Sequence, residues 1–597
     1  MERSVDAAAT DEEPDDAAII ADEELAPRSA LRTILRRLGV WGGGLRPVWK
    51  GLAAFLLYQA VAFAIWVLPM VPRFGRQQLG IEPEDSRFFQ WALRWIPWAV
   101  SHGMNPLHTR YVFAPPGIDL AWQTFVPGPA LATWPITAVF GSLVSLNVLD
   151  ALAPALAAWA AYLVCHRLTH RFWASMIGGS LFGFSVYVTS NVGLVNLSLI
   201  FPIPLLVYVT VRHVEGSLGP VAFVTGFAAL LVALFSISTE LFGTAVIFGA
   251  VAFLGALSFG REIRRRLFRT GTLVLLAGGI AALVLLPYVH DVVVNQPADA
   301  LRLRGEIGAA DLWSFFVPPA RVRLGGQAFS TVLDRLTEFP RSGGLAYVGL
   351  PILAVLVGFA IAERGRRRTW ALLAFVAVLM LLTLGSVLHV GGKPFGSLPE
   401  SVLARTMLLR SASPVRFAVY TNLAIGVIAS LWLSGVSGRW GWTRWTVALV
   451  AVVSLFPYPP AQNPVQSVPE FFSSGRVRDV LHQGEVVYAI PSQRGSEMIW
   501  QTTSDFWFDL AQGYVGPVPP AVDSGPLAHG LHRGNGSYLP TADEFSTWTR
   551  QNGVSAVVLE DEAAVRYEAM LQRAGLVPVY AGEGVSVWRP RGVTPAP

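Results

Sequence analysis

The chain has 597 residues, of which 53% are hydrophobic and only 14% charged, and its formal charge of +5 is carried almost wholly by Arg. With a mean hydropathy of +0.48 and apolar runs that repeatedly reach the roughly 20 residues needed to cross a hydrocarbon core, it is not a water-soluble globular protein. The Arg residues sit in short clusters between those runs, a pattern of topology signals rather than a nucleic-acid face, and the single Cys165 excludes an internal disulfide and any Cys-based metal site.

Residues 1–30 are acidic and poor in aromatics, so they read as a disordered cytoplasmic tail; they lack the basic start and apolar centre of a cleaved signal peptide. Residues 31–458 read as a polytopic transmembrane domain. Arg32, Arg36, Arg37, Arg46 and Lys50 precede the first apolar run, which puts the N-terminus in the cytoplasm and residues 72–123 outside as the first outer loop. Three apolar runs between 124 and 190 then join two outside points, which needs an even number of crossings. The Pro-containing "FVPGPALATWPITAVFG" is the piece expected not to span, because Pro and Gly free backbone groups that lipid cannot satisfy. Basic loops at 261–269, 363–368 and 438–444 mark further cytoplasmic turns, leaving outer loops at 290–344 and 389–414. The count is about 11 spans, or 13 if a pair is hidden. From residue 459 the pattern changes: strand-like stretches at 485–490, 554–560, 577–581 and 585–588 alternate with helical ones near 541–551 and 562–574. Residues 459–597 therefore read as a small extracytoplasmic α/β domain, and the fold class is a mainly α polytopic membrane protein carrying it.

The chemistry concentrates in four places. Behind the carboxylates Glu82, Glu84 and Asp85, the segment "DSRFFQWALRWIPWAV" places Phe88, Trp91, Trp95 and Trp98 at helical spacing, with Arg87, Gln90 and Arg94 on another face. This predicts an amphipathic helix in the interface plane with its Trp rings at headgroup depth, kinked or divided by Pro97. Asp85 at its start is either a helix cap or a catalytic carboxylate. Glu240, where two apolar runs meet, is either a second acid or a solvated loop group. Arg405, Arg410 and Arg416 lie on the outer side against the topology bias, where a lipid phosphate or anionic headgroups would compensate them. Arg302, Arg304, Arg321 and Arg323 stud the loop at 290–344, which begins with His290 and Asp291; Asn191 and Asn196 are candidates for a substrate hydroxyl or for helix-end capping. In the outer domain, Trp500, Phe506, Trp507, Phe508 and Tyr514 suit either stacking on sugar rings or docking of the domain.

An acidic residue soon after the first span, a membrane-parallel helix, the pieces "GMNP...APPG" and "RSASPVRF", and an outer C-terminal domain together resemble the GT-C superfamily of integral-membrane glycosyltransferases. The resemblance implies transfer of a sugar from a polyprenyl-phosphate donor to an extracytoplasmic acceptor (a cell-envelope glycan, lipid or protein) in a plasma membrane. It implies Asp85, with Glu84 second, as base or ligand of a divalent metal cation, and Glu240, singled out by its position, would be a second acid of the same site. Arg405, Arg410 and Arg416 would then hold the donor phosphate, and Trp500, Trp507 and Tyr514 the acceptor. The competing classes are a lipid or solute transporter or flippase, which calls for ionisable residues in mid-span and internal symmetry, and a non-catalytic membrane scaffold.

Overall fold

The computed structural model describes residues 47–80, 83–259, 264–294, 308–336, 344–403, 412–435, 441–459, 463, 467–491, 495–515, 527, 530–531 and 538–592. The acidic tail, Glu82, Arg302, Arg304, Arg405 and Arg410 lie outside these, as does the side chain of Glu84.

Nine helices among the described residues are long and apolar enough to cross a membrane, which makes this a multi-pass membrane protein. In chain order the helical elements are α1 (Val48–Arg73), the non-spanning α2 (Pro83–Ser101), two short helices α3 (Pro127–Ala132) and α4 (Trp134–Phe140), then α5 (Ser142–Thr169), α6 (Phe172–Ser190), α7 (Val195–Val214), α8 (Pro220–Ile237), α9 (Thr239–Ser258), α10 (Arg264–Val284) and α11 (Gly344–Ala362). Helix α12 (Arg367–Thr383), α13 (Pro414–Ser434) and α14 (Gly441–Ser454) complete the bundle. Helices α12 and α14, with 17 and 14 residues, are the two expected spans that fall short of the length of the others. The Pro-rich run is indeed no span: it folds as α3 and α4, of 6 and 7 residues, each opened by a proline in its first turn.

Small residues let the central helices touch. Gly178 of α6 and Gly426 of α13 approach so closely that a Cβ on either would lie 2.5 Å from the other's carbonyl oxygen, and Ser430 Oγ donates to Ala174 O at 2.9 Å beside them. Without a hydrophobic drive between helices in lipid, such close packing and interhelical hydrogen bonding hold the bundle.

The C-terminal lobe is a five-stranded sheet of β1 (Val486–Ile490), β2 (Asp509–Leu510), β3 (Ala556–Glu560), β4 (Leu576–Gly582) and β5 (Val585–Pro590), in the order β2-β1-β3-β5-β4. Strand β1 runs parallel to β2 and β3, and β5 runs antiparallel to β3 and β4. Four of these strands lie where the alternating apolar pattern puts them. The two-residue β2 carries no such pattern. Helices Ala542–Gln551 and Ala564–Arg573 lie between the strands, the first started by a Thr541/Glu544 capping box.

Helix α2 departs from its expected setting. Trp91 and Trp95 are 0% and 1% exposed and stack 5.4 Å apart, with Phe506 of the lobe edge-on to both. Trp91 Nε1 donates to Gln501 Oε1 at 3.0 Å. The aromatic stripe thus faces the lobe rather than the headgroups, because Phe506, Tyr111 and their neighbours supply a continuous apolar surface that buries whole rings. Pro97 lies inside the helix and does not divide it.

Within the lobe, Arg589 and Glu485 form a forked ion pair at 2.6 and 2.9 Å with 2% and 5% side-chain exposure. Removing one partner of such a pair strands the other charge. Arg589→Met is expected to destabilise the lobe by about 3–5 kcal/mol, and the Arg589→Met/Glu485→Leu double variant to regain most of it. Denaturant titration of the detergent-solubilised chain, read by lobe tryptophan fluorescence and limited proteolysis, measures both.

Candidate functional site

Three segments far apart in the chain meet where α2 begins. Asp85 is an exposed carboxylate in the first turn of α2. Its Oδ1 accepts a 2.5 Å hydrogen bond from the Tyr514 hydroxyl of the lobe. Arg416, in the first turn of α13, forms an ion pair with Glu240 in the first turn of α9, and their side chains keep 25% and 20% exposure. The other oxygen of Glu240 accepts the Ser413 N–H at 3.0 Å, so this carboxylate fixes both the backbone and the guanidinium of the turn. Asp85 is near enough for its charge to act on Arg416, as is the hydroxyl of Tyr187, which is buried on α6 and makes no hydrogen bond among the described atoms. The result is a carboxylate and a phenol within electrostatic reach of one guanidinium.

Polar groups inside α5 build the platform under Asp85. Asn147, fully buried, accepts from Leu79 N–H at 2.8 Å and donates to Phe74 O and Gln77 O at 2.8 and 2.9 Å, holding the turn that leads from α1 to α2. One helical turn on, Asp150 accepts the Gly193 N–H at 3.0 Å, and the Gly193 carbonyl accepts from Ser86 Oγ at 2.7 Å. Gly80 and Gly193, both with positive φ, meet backbone to backbone: a Cβ on Gly80 would lie 2.3 Å from Val192 O and 2.7 Å from Gly193 Cα. Asp150 is a site residue that sequence reading passed over. Its signal was present, since an ionisable residue inside an apolar run marks function or special structure by default.

The remaining candidates divide. Trp500 is 2% exposed and stacks on Phe472 at 5.1 Å, so both ring faces are interior and none is left for a sugar. Trp507 donates to Leu481 O at 2.9 Å and lies under Arg478, away from Asp85. Of the three aromatics, Tyr514 alone reaches the carboxylate. Asn191 donates to Tyr187 O at 2.8 Å, a helix-end contact, and Asn196 Oδ1 is buried without a partner among the described atoms. Arg321 donates to Ser190 O, tying the loop before α11 to the end of α6. No group of three or more His, Cys, Asp or Glu placed to hold a metal ion occurs among the described residues, the His290 and Asp291 pair included.

Behind Tyr514 the lobe buries a further acid. Glu497, 1% exposed in α15 (Ser496–Thr503), has neither carboxylate oxygen paired with a partner among the described atoms. Burial pushes its pKa up to about 7, against the opposing pull of nearby backbone N–H groups and of Arg87 on α2. Burial likewise pushes Asp509 up to about 6. In both, the folded chain holds the proton more tightly than the unfolded one, so their contribution to stability is greatest in acid and is lost as pH rises, from about 4.5 to about 7 for Glu497 and from about 3.8 to about 6 for Asp509. Glu497→Gln is expected to flatten this part of the stability profile and to raise lobe stability at pH 8 by on the order of 3 kcal/mol, read by denaturant titration between pH 4.5 and 8.5.

No protein-family model matches the chain, and no curated relative does. Solved structures do. The structure of ArnT from Cupriavidus metallidurans bound to undecaprenyl phosphate aligns at 11% identity over 89% of this chain and 97% of that one, with a TM-score of 0.47. The archaeal oligosaccharyltransferase AglB from Archaeoglobus fulgidus, in complex with an inhibitory peptide and a dolichol-phosphate, aligns at 13% identity over 91% and 74%, with a TM-score of 0.39. The arabinofuranosyltransferase AftD from Mycobacteria aligns at 14% identity over 92% of this chain and 42% of that one, with a TM-score of 0.55. On the strength of the AftD likeness, this chain shares its fold with that arabinofuranosyltransferase structure over 92% of its own length.

Proposed function

We propose that the chain is a membrane glycosyltransferase that moves a sugar from a polyprenyl-phosphate donor to an acceptor hydroxyl on the lobe side of the bilayer, the extracytoplasmic side of a plasma membrane. The observation that carries this reading is the Arg416–Glu240 ion pair with the Asp85 carboxylate within electrostatic reach of its guanidinium. Transfer from a phosphate-linked sugar needs a base for the incoming hydroxyl and a cation for the outgoing phosphate. Here those two groups lie within electrostatic reach of each other. The likeness to an arabinofuranosyltransferase supports sugar transfer as the reaction class.

In this mechanism the acceptor hydroxyl attacks the anomeric carbon as the bond from that carbon to the phosphate oxygen breaks. Asp85 takes the hydroxyl proton on the oxygen not occupied by Tyr514, whose hydrogen bond fixes the carboxylate. The departing phosphate gathers negative charge, which Arg416 meets with the guanidinium N–H groups not engaged by Glu240. Glu240 holds Arg416 in place through the ion pair and through Ser413. A divalent cation, if one takes part, would draw on Asp85 and would share the task of neutralising the phosphate.

Transfer of radiolabelled sugar from a polyprenyl-phosphate donor by the purified chain in proteoliposomes tests this. Asp85→Asn is expected to slow transfer by about 10²–10⁴-fold, the usual worth of a general base; a rate equal to wild type would remove Asp85 from that role. Arg416→Met should be nearly inactive, with Arg416→Lys recovering part of the rate, since lysine restores the charge and not the fork.

A further inference from the structure

A polar cavity lies on the far side of α2 from Asp85. It has a volume of about 450 Å³ and is lined by Arg76 just beyond α1, Arg94 of α2, Thr137 and Phe140 of α4, Ser142 at the start of α5, and Thr502 and Thr503 of α15. This is the size range of small-molecule sites. Asp85 and Arg94 are nine residues apart on one helix, which puts them about 14 Å apart along its axis and on opposite faces. The cavity is therefore separate from the site described above.

Its chemistry is specific. Arg94 pairs with Asp505 at 3.0 Å, whereas Arg76 is exposed and forms no ion pair among the described residues. Two guanidinium groups against one carboxylate leave a net positive charge that an anion would satisfy, phosphate best because its oxygens match the guanidinium fork. Thr502 and Thr503 donate their hydroxyl protons to Ile499 O at 2.9 and 2.8 Å. They consequently offer the cavity oxygen acceptors, suited to ligand hydroxyls. The depth is also fixed: Arg76 follows the last residue of span α1 by three positions, and Ser142 is the first residue of span α5. Beside the rim, Val139 and Phe140 of α4 are 72% and 67% exposed, an apolar ledge at the level of the bilayer surface.

We infer that this cavity binds a phosphate group bearing free hydroxyls, as in the headgroup of a glycerophospholipid whose chains rest on Val139 and Phe140. The inference does not rest on the transfer reading, because it uses neither Asp85 nor Arg416.

The test is binding of dihexanoyl phosphatidylglycerol, dihexanoyl phosphatidylcholine and glycerol 3-phosphate to the detergent-solubilised full chain, by calorimetric titration. Saturable binding of phosphatidylglycerol, with little of phosphatidylcholine, is expected. Arg76→Ser should weaken it by about tenfold or more, the scale of a lost charged hydrogen bond. Asp505→Asn, which removes the ion pair and keeps both guanidinium groups, should bind at least as well as wild type. Glycerol 3-phosphate binding as tightly as the lipid would support the same chemistry with a soluble ligand, and much weaker binding would support the lipid. Equal binding by Arg76→Ser and wild type, equal binding of phosphatidylcholine, no binding by wild type, or loss of binding in Asp85→Asn would each overturn the inference.

Discussion

Lipid offers no hydrogen bonds, so wherever this chain leaves regular helix near the bundle, a side chain has to answer the exposed backbone. Asn147 and Asp150 do so from inside α5, Glu240 from the first turn of α9 and Arg321 from the loop before α11. Each crosses a large interval of sequence to reach its target. The irregular segments they hold are the turn after α1, the loop at 193, the turn before α13 and the end of α6. These segments carry or abut Asp85, Arg416 and Tyr187. The satisfaction of backbone in an apolar medium and the assembly of the polar site are one structural event.

The site depends on a balance that this arrangement makes possible. Glu240 and Arg416 alone would be a closed pair with little left for a ligand, and a partly buried pair gains its stability only where further hydrogen bonds share the charge. Here Ser413 takes one oxygen of Glu240, and Asp85 and Tyr187 are within electrostatic reach of the guanidinium. Tyr514 brings the lobe into the same group. The lobe's own packing on α2, through Trp91, Trp95 and Phe506, determines whether that hydroxyl reaches Asp85 at all.

Much of the architecture was legible from local pattern. Apolar run length located the spans, Pro and Gly marked α3 and α4 as non-spanning, and alternating apolar residues marked β1, β3, β4 and β5. Asp85, Glu240 and Arg416 stood out because ionisable groups at the edges of apolar runs are costly. What stayed hidden depends on partners distant in sequence. The stripe of Trp91 and Trp95 has the periodicity of a membrane-surface helix, and only the position of Phe506, more than 400 residues later, makes it an interior one. Trp500 reads as readily as a sugar platform as a core residue, since both require an aromatic in a polar neighbourhood. Asp150 was visible as an ionisable residue inside an apolar run, but that it answers the backbone N–H of Gly193 is something no sequence pattern displays.

The contact of Gly80 with Gly193 has a further implication. Most helix positions in a protein are set by side chains, which breathe as their rotamers exchange. Here the segment just ahead of α2 rests on main chain with nothing in between, and that main chain is clamped from below by Asp150 and from above by Ser86. The height of the α2 N-terminus over the bundle is therefore set by main-chain van der Waals contact, and side chains around Asp85 can change without shifting the carboxylate itself.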